Sequence, residues 1–350
     1  MSLKTENSEI FINFNQSKAY CCFGTPIGFY IYSLNPLRKV LSRKIEGGIS
    51  IIKMLYESNI VLFVGRTNKG SYPNNKLIIW DDSRKSVLGE IQYNNKIDNL
   101  HVTKKFIIVL VDSKIFIYNF ETLFLVKSFD YKNNLKLIEI DENNNNLIYP
   151  SEKQGVVCIT KFESDFLKEI KAHDNSISQI HVSSNGKYLV TSSINGTVIR
   201  IFDIESGNKI NEFRRGTDPT IIINLELNHD NSILLVSSIK GTIHLFNTGI
   251  KDMKNLENSS FENYGMSYAK WTGLMPQYFH DQWSFTRFNL PDIISYSVFE
   301  PSKPIIYSFG NDGQFYELNY ENPNDPKVEK TIKYISDEND PFSERTSTIK

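Results

Sequence analysis

The sequence predicts an all-β fold, a seven-bladed β-propeller with four antiparallel strands per blade, and three observations carry that prediction. The composition is one of strands and turns: 13% of the residues are aromatic, with 18 Tyr and 23 Phe, and short apolar runs alternate with Asn, Asp, Gly and Ser. One apolar, alternating segment, typically ending in an aromatic and then Asp or Asn, returns along the chain. Its spacing matches the period of a four-stranded, WD-repeat-like blade.

The seven copies are GFYIYSL (Gly28 to Leu34), KLIIWD (Lys76 to Asp81), KIFIYN (Lys114 to Asn119), VVCITKF (Val156 to Phe162), GTVIRIFD (Gly196 to Asp203), GTIHLFN (Gly241 to Asn247) and GQFYELN (Gly313 to Asn319). Between their last residues the intervals are 47, 38, 43, 41, 44 and 72. A second strand precedes each copy, as in Asn59 to Gly65, Lys187 to Ser193, Ser232 to Ser238 and Pro304 to Gly310. The turns between them, such as INGT and IKGT, carry a Gly because a tight hairpin needs positive φ. Trp80 and Cys158 fall in these strands and are expected in the core. Strands near Val328 to Ile335 complete blade seven in this plan.

The 72-residue interval exposes an insertion between the third and fourth strands of blade six, residues 248–282, polar in its first half and aromatic in its second. Residues 1–335 are therefore expected to form one propeller, and residues 336–350 a flexible tail.

A formal net charge of -1 excludes the broad positive field of a nucleic-acid binder, so any anion site must be local. Three cysteines, Cys21, Cys22 and Cys158, fit neither a disulfide framework nor a zinc site, and point to the cytosol. No apolar run approaches a membrane span, and no signal-peptide core is evident. Nucleophile-elbow, P-loop, dinucleotide-binding and metalloprotease motifs are missing, and Asp81-Asp82 sits in a turn with no partner base. No catalysis, metal or cofactor is expected.

The exception to this bland surface is Phe213-Arg214-Arg215-Gly216, where the fourth strand of blade five should end. Neighbouring strand residues point to opposite faces, so the two arginines address two places. Blade five offers His173, Ser192, Ser193, Thr197 and Arg200 nearby, and blade six offers Ser237, Ser238, Lys240, Thr242 and His244. The two sets read as one pattern repeated. Guanidinium forks with hydroxyls and turn amides around them suit phosphate oxygens.

The stretch from Ala172 to Asn247, with its F-R-R-G motif, resembles the PROPPIN family, and WSFTRFNLP (Trp283 to Pro291) resembles the family's continuation. The resemblance implies a propeller that binds phosphatidylinositol 3-phosphate and phosphatidylinositol 3,5-bisphosphate and works in autophagy or endosomal traffic. It implies a first headgroup site of His173, Ser192, Ser193, Thr197, Arg200 and Arg214. A second would use Arg215, Ser237, Ser238, Thr242 and His244, with Lys240 and Arg287 beside them. It further implies that the blade-six loop enters the bilayer, which suits Trp271, Leu274, Met275, Tyr278 and Phe279.

The expected protein is a monomer, cytoplasmic and reversibly peripheral on phosphoinositide-bearing membranes of an endosome, vacuole, autophagosome precursor or other organelle. Its remaining blades would recruit autophagy or traffic proteins. The contrasting class is a WD-repeat-like scaffold that binds proteins without lipid. Histidines in both pockets carry one more expectation, that binding tightens as the pH falls through about 6.5.

Overall fold

The computed structural model describes residues 2–4, 9–133, 135–250, 283–290 and 293–333. Within them the chain forms seven antiparallel sheets of consecutive strands, spanning 9–44, 49–92, 97–130, 139–171, 177–214, 222–289 and 295–333. Each of the seven repeated segments is the third strand of its blade. Blade one has one strand more than expected: Ser2–Lys4 pairs antiparallel with Glu9–Phe14 and adds a fifth.

Strand position explains the sequence pattern. First strands of neighbouring blades approach one another around the central axis. Second strands are covered on both faces by the adjoining blades, so Phe106–Val111 is buried at every position and reads as an unbroken apolar run. Fourth strands form the outer rim. In Ser86–Gln92, Leu125–Asp130 and Lys327–Lys333 most residues are exposed, and charges break up the free edge. Bulges between first and second strands recur at Ile49/Ile51, Ile97/Asn99, Ile177/Gln179 and Ile222/Asn224, adding the local twist a blade requires.

The core is divided by blade. Each of seven apolar clusters joins one adjacent pair, for example Val190, Ile199 and Phe213 of blade five with Leu225, Val236 and Phe246 of blade six. Trp80 and Cys158 are buried as expected. Burying these faces is the main force that holds the ring, because no blade can cover its own two faces.

Closure uses side chains rather than a shared strand. Lys327–Lys333 completes blade seven by pairing with Gln314–Asn319. Phe23, Tyr32 and Leu34 of blade one then pack on Val298, Tyr307 and Phe309 of blade seven, with the Phe23 and Phe309 rings 5.3 Å apart. The Asp81-Asp82 pair also has a role that its sequence context hides. Asp81 caps its own turn through Ser83 at 2.6 Å, and Asp82 accepts two bonds of 2.8 Å from Arg43 of blade one. Arg43 is an ion-pair partner and not a base, so the pair acts structurally and clamps blades one and two.

Candidate anion-binding site

The site is built where blades four, five and six adjoin, at the ends of their second strands. In blade five, Tyr188–Ser193 turns through Gly196 into Val198–Asp203, which pairs with Lys209–Arg214. In blade six, Ile233–Ser238 turns through Gly241 into Thr242–Asn247, which pairs with Thr286–Asn289 across the long insertion. Both turn glycines have positive φ, 60° and 73°. The connector to the next blade lies directly on each: a Cβ on Gly196 would sit 1.9 Å from the Thr220 carbonyl oxygen, and one on Gly241 1.8 Å from that of Leu290.

Phe213 fixes the arginine pair. It is fully buried, and its ring lies 5.3 Å from Phe246 of blade six. Alternation then sends Arg214 to the opposite face, which it shares with Arg200 and Glu212, while Arg215 follows Phe213 toward blade six. Arg215 is held by Nε donating to the Gly196 carbonyl at 2.8 Å and by a further bond to the Asp218 carbonyl. Burial lowers its pKa from the ordinary value, against the opposing pull of Asp218.

On the blade-four side, the connector through Ala172 delivers His173, whose Nε2 lies 2.9 Å from the Thr191 hydroxyl. Arg200 stands opposite Thr191 in the sheet. Its Nη1 donates to the Ala172 carbonyl at 2.7 Å, and its Nε donates to Glu212 at 2.7 Å. Glu212 also accepts from Lys209 at 2.9 Å. Burial alone would raise the Glu212 carboxyl, but the bonds from Lys209 and Arg200 hold it below the usual carboxylate range.

On the blade-six side, His244 Nδ1 lies 3.1 Å from the Ser284 hydroxyl, and the Ser238 and Thr242 hydroxyls bond each other at 2.8 Å. Arg287 stands opposite His244 and is exposed, as is Lys240 in the turn. Among the described residues neither forms an ion pair. Trp283 and Phe285, exposed by 50% and 37%, flank this cleft where the long insertion returns.

Most of the expected residues meet in two neighbouring clefts, with three corrections. Ser192 is fully buried, turned away from His173 and Arg200, and 2.9 Å from the Ser178 hydroxyl. Ser237 is likewise buried on the blade-seven side of its sheet, away from His244, its hydroxyl without a partner among the described residues. Adjacent serines on a strand cannot share a face, so only Ser193 and Ser238 remain with their clefts. Thr197 is half-buried and contributes its carbonyl, which accepts the Arg215 amide at 2.9 Å.

The third correction concerns pH. His173 is pushed down to about 4 by burial and then by Arg200, with Glu212 and Asp174 opposing. His244 is also pushed down to about 4, by burial and then by Arg215 and Arg287. Neither titrates near 6.5 in the unliganded protein, so the expected tightening there loses its basis. The sequence reading missed Thr191, Glu212 and Ser284. Glu212 could have been found from its place two residues before Arg214, on the same face. Trp271, Leu274, Met275, Tyr278 and Phe279 lie outside the described residues.

Comparison with known proteins agrees with this architecture. A sequence model of the PROPPIN family matches residues 9–296. SVP1-like protein 2 of Schizosaccharomyces pombe is 34% identical over 241 residues, covering 67% of this chain and 66% of that protein, just under two thirds of its length. Autophagy-related protein 18e of Arabidopsis thaliana is 29% identical over 342 residues, covering 95% and 89%. Kluyveromyces lactis Hsv2 with its complete loop 6CD superposes with a TM-score of 0.76 at 24% identity, over 93% of this chain and 98% of that one. The complex of KlAtg21 with the coiled coil of AgAtg16 gives a TM-score of 0.73 at 20% identity, over 96% and 100%. These two likenesses concern the fold alone. With the family match running over most of the propeller and the arginine pair in place, the chain belongs to the PROPPIN family, whose members here include autophagy-related proteins.

Proposed function

We propose that the protein is a membrane effector that binds phosphatidylinositol 3-phosphate and phosphatidylinositol 3,5-bisphosphate through two headgroup clefts on one edge of the propeller. The observation that supports this reading is the alternation of Arg214 and Arg215 at the end of their strand, with Arg215 tied to Gly196, which would supply one guanidinium to each of two adjoining interblade clefts. His173, Ser193, Arg200 and Arg214 would serve the first. Arg215, Ser238, Lys240, Thr242, His244 and Arg287 would serve the second. A guanidinium beside hydroxyls and turn amides fills the lone pairs of a phosphomonoester, at roughly 1.5–3 kcal/mol per charge-assisted bond.

Two clefts and the aromatic second half of the insertion would act together. Engagement of one raises the effective concentration of lipid at the others, so modest single-site affinities give firm but reversible attachment. The insertion carrying Trp271, Leu274, Met275, Tyr278 and Phe279 is the segment proposed to enter the bilayer, with Trp283 and Phe285 exposed at its return. A propeller standing on that edge leaves its other blades for proteins of autophagy or membrane traffic, and the KlAtg21 complex with a coiled coil supplies a precedent for such a partner.

Flotation with vesicles containing phosphatidylinositol, its 3-phosphate or its 3,5-bisphosphate tests the reading. Wild type is expected to float only with the phosphorylated lipids, and folded Arg214→Thr/Arg215→Thr to remain behind. Equal flotation of the variant, or indifference of wild type to all three lipids, returns the protein to the class of plain interaction scaffolds.

A further inference from the structure

The two clefts are built on the same strand register but do not carry the same charge. Across blade five, Thr191, Arg200 and Glu212 stand opposite one another on the second, third and fourth strands. Across blade six the corresponding row is Val236, His244 and Arg287. The outer position therefore holds a carboxylate in one blade and a guanidinium in the other. Arg200 reaches the first cleft already bonded to an anion, and the same anion takes Lys209. In the second cleft Arg215 and Arg287 both face His244, and no carboxylate of the described residues forms an ion pair with Arg287 or Lys240. The histidines feel the difference: Glu212 and Asp174 partly offset Arg200 at His173, whereas among the described residues no acidic group offsets the two arginines at His244, and Asp218 acts on Arg215 without forming an ion pair.

We infer that the clefts are unequal: the blade five–six cleft around Arg215, His244 and Arg287 takes a phosphorylated headgroup first, and Glu212 holds the blade four–five cleft in reserve by occupying Arg200. The ranking rests on the phosphoinositide reading above. A phosphomonoester entering the first cleft must displace or share a resident carboxylate, an anion-for-anion exchange with little net gain. It becomes favourable once the second cleft is anchored and the local lipid concentration is high. Glu212 is then a specificity-determining residue that keeps the first cleft from filling with free phosphate in solution.

A gain-of-binding experiment tests this, since misfolding cannot imitate it. Arg215→Thr disables the favoured cleft, and binding to vesicles containing phosphatidylinositol 3-phosphate is compared in that background with and without Glu212→Gln. Glu205→Gln, an exposed carboxylate of the same blade, controls for bulk charge, and phosphatidylserine vesicles of matched charge control for lipid identity. Glu212→Gln is expected to raise 3-phosphate binding about two- to fivefold over Arg215→Thr alone, the effect of removing one partly exposed ion pair; Glu205→Gln should not. Calorimetry with inorganic phosphate should show binding gained by Glu212→Gln in wild type, weaker than that of the soluble headgroup inositol 1,3-bisphosphate. Unchanged or weakened vesicle binding on Glu212→Gln overturns the inference and makes Glu212 a residue that positions Arg200. Equal gains on phosphatidylserine, or inorganic phosphate binding as tightly as the headgroup, overturn it as well. Failure of wild type to bind the 3-phosphate lipid at all removes the phosphoinositide reading itself.

Discussion

Arg215 donates its Nε hydrogen to the carbonyl oxygen of Gly196 at 2.8 Å, which ties the second arginine of the motif to the hairpin of its own blade while its charge reaches His244 in the next. A lysine carries all three of its donors on one nitrogen, so it cannot hold that carbonyl and present a separate planar fork to a phosphate. Arg215→Lys should therefore keep the charge, fold normally and still lose most 3-phosphate lipid binding in flotation. Binding equal to wild type would reduce the residue to a point charge.

Phe213 sets the direction of both arginines. Replacing this fully buried ring, packed on Phe246, by alanine is expected to cost about 3–5 kcal/mol in denaturant unfolding. Phe213→Leu should retain much of the stability. If its lipid binding nevertheless falls, the ring aims the arginines in addition to filling the core.

Gly196→Ala and Gly241→Ala each place a methyl within 2 Å of a connector carbonyl, in a left-handed backbone conformation. Each should lower stability by at least about 1–3 kcal/mol. The effect should centre on the interface with the following blade, readable by amide exchange as early opening of residues 217–223 for Gly196→Ala.

Acid stability follows from the buried imidazoles. His173, His181 and His244 all have folded pKa values pushed down to about 4, with burial the largest cause in each. The unfolded chain binds protons near 6.5 and the folded chain does not. Stability is therefore full above about pH 6.5 and is lost as pH falls toward 4, by up to 1.4 kcal/mol per unit for each group. His181→Asn should flatten that slope in melts from pH 6.5 to 4.5. Glu139, raised to about 7 mainly by burial, acts in the other direction, its folding penalty growing as pH rises from about 4.5 to 7.

The same shifts predict the binding profile. Because His173 and His244 are neutral above about pH 4, His173→Asn and His244→Asn should leave the shape of lipid binding between pH 5.5 and 8 as in wild type, even where they change its strength. A step near 6.5 present in wild type and lost in either variant would show that headgroup binding itself raises the imidazole pKa.

The repeat of third strands, the hairpin glycines at Gly196 and Gly241, the insertion in blade six and the Phe213 to Gly216 motif were all readable in the chain, because each is a local pattern: a period, a turn chemistry or a short run of residue types. Alternation also separates Arg214 from Arg215, the second of which is tied to the Gly196 carbonyl. The same rule, left unapplied to Ser192-Ser193 and Ser237-Ser238, placed one serine of each pair in a cleft it does not face.

What lay beyond the sequence were relations between distant segments. Closure through Phe23 and Phe309, the clamp of Arg43 on Asp82 and the burial that holds two histidines neutral depend on which blades touch, and on how much water is excluded where they do. The unequal charge of the two clefts is of this kind too. Glu212 and Arg287 are 75 positions apart and unremarkable as letters, and only cross-strand register makes them occupants of equivalent places. By itself the sequence determined seven blades and an arginine pair, since periodicity and strand alternation are properties of the chain. The tertiary structure decided which groups reach each cleft and in what charge state, because desolvation and Coulomb energy depend on distances that the chain acquires only when its blades pack.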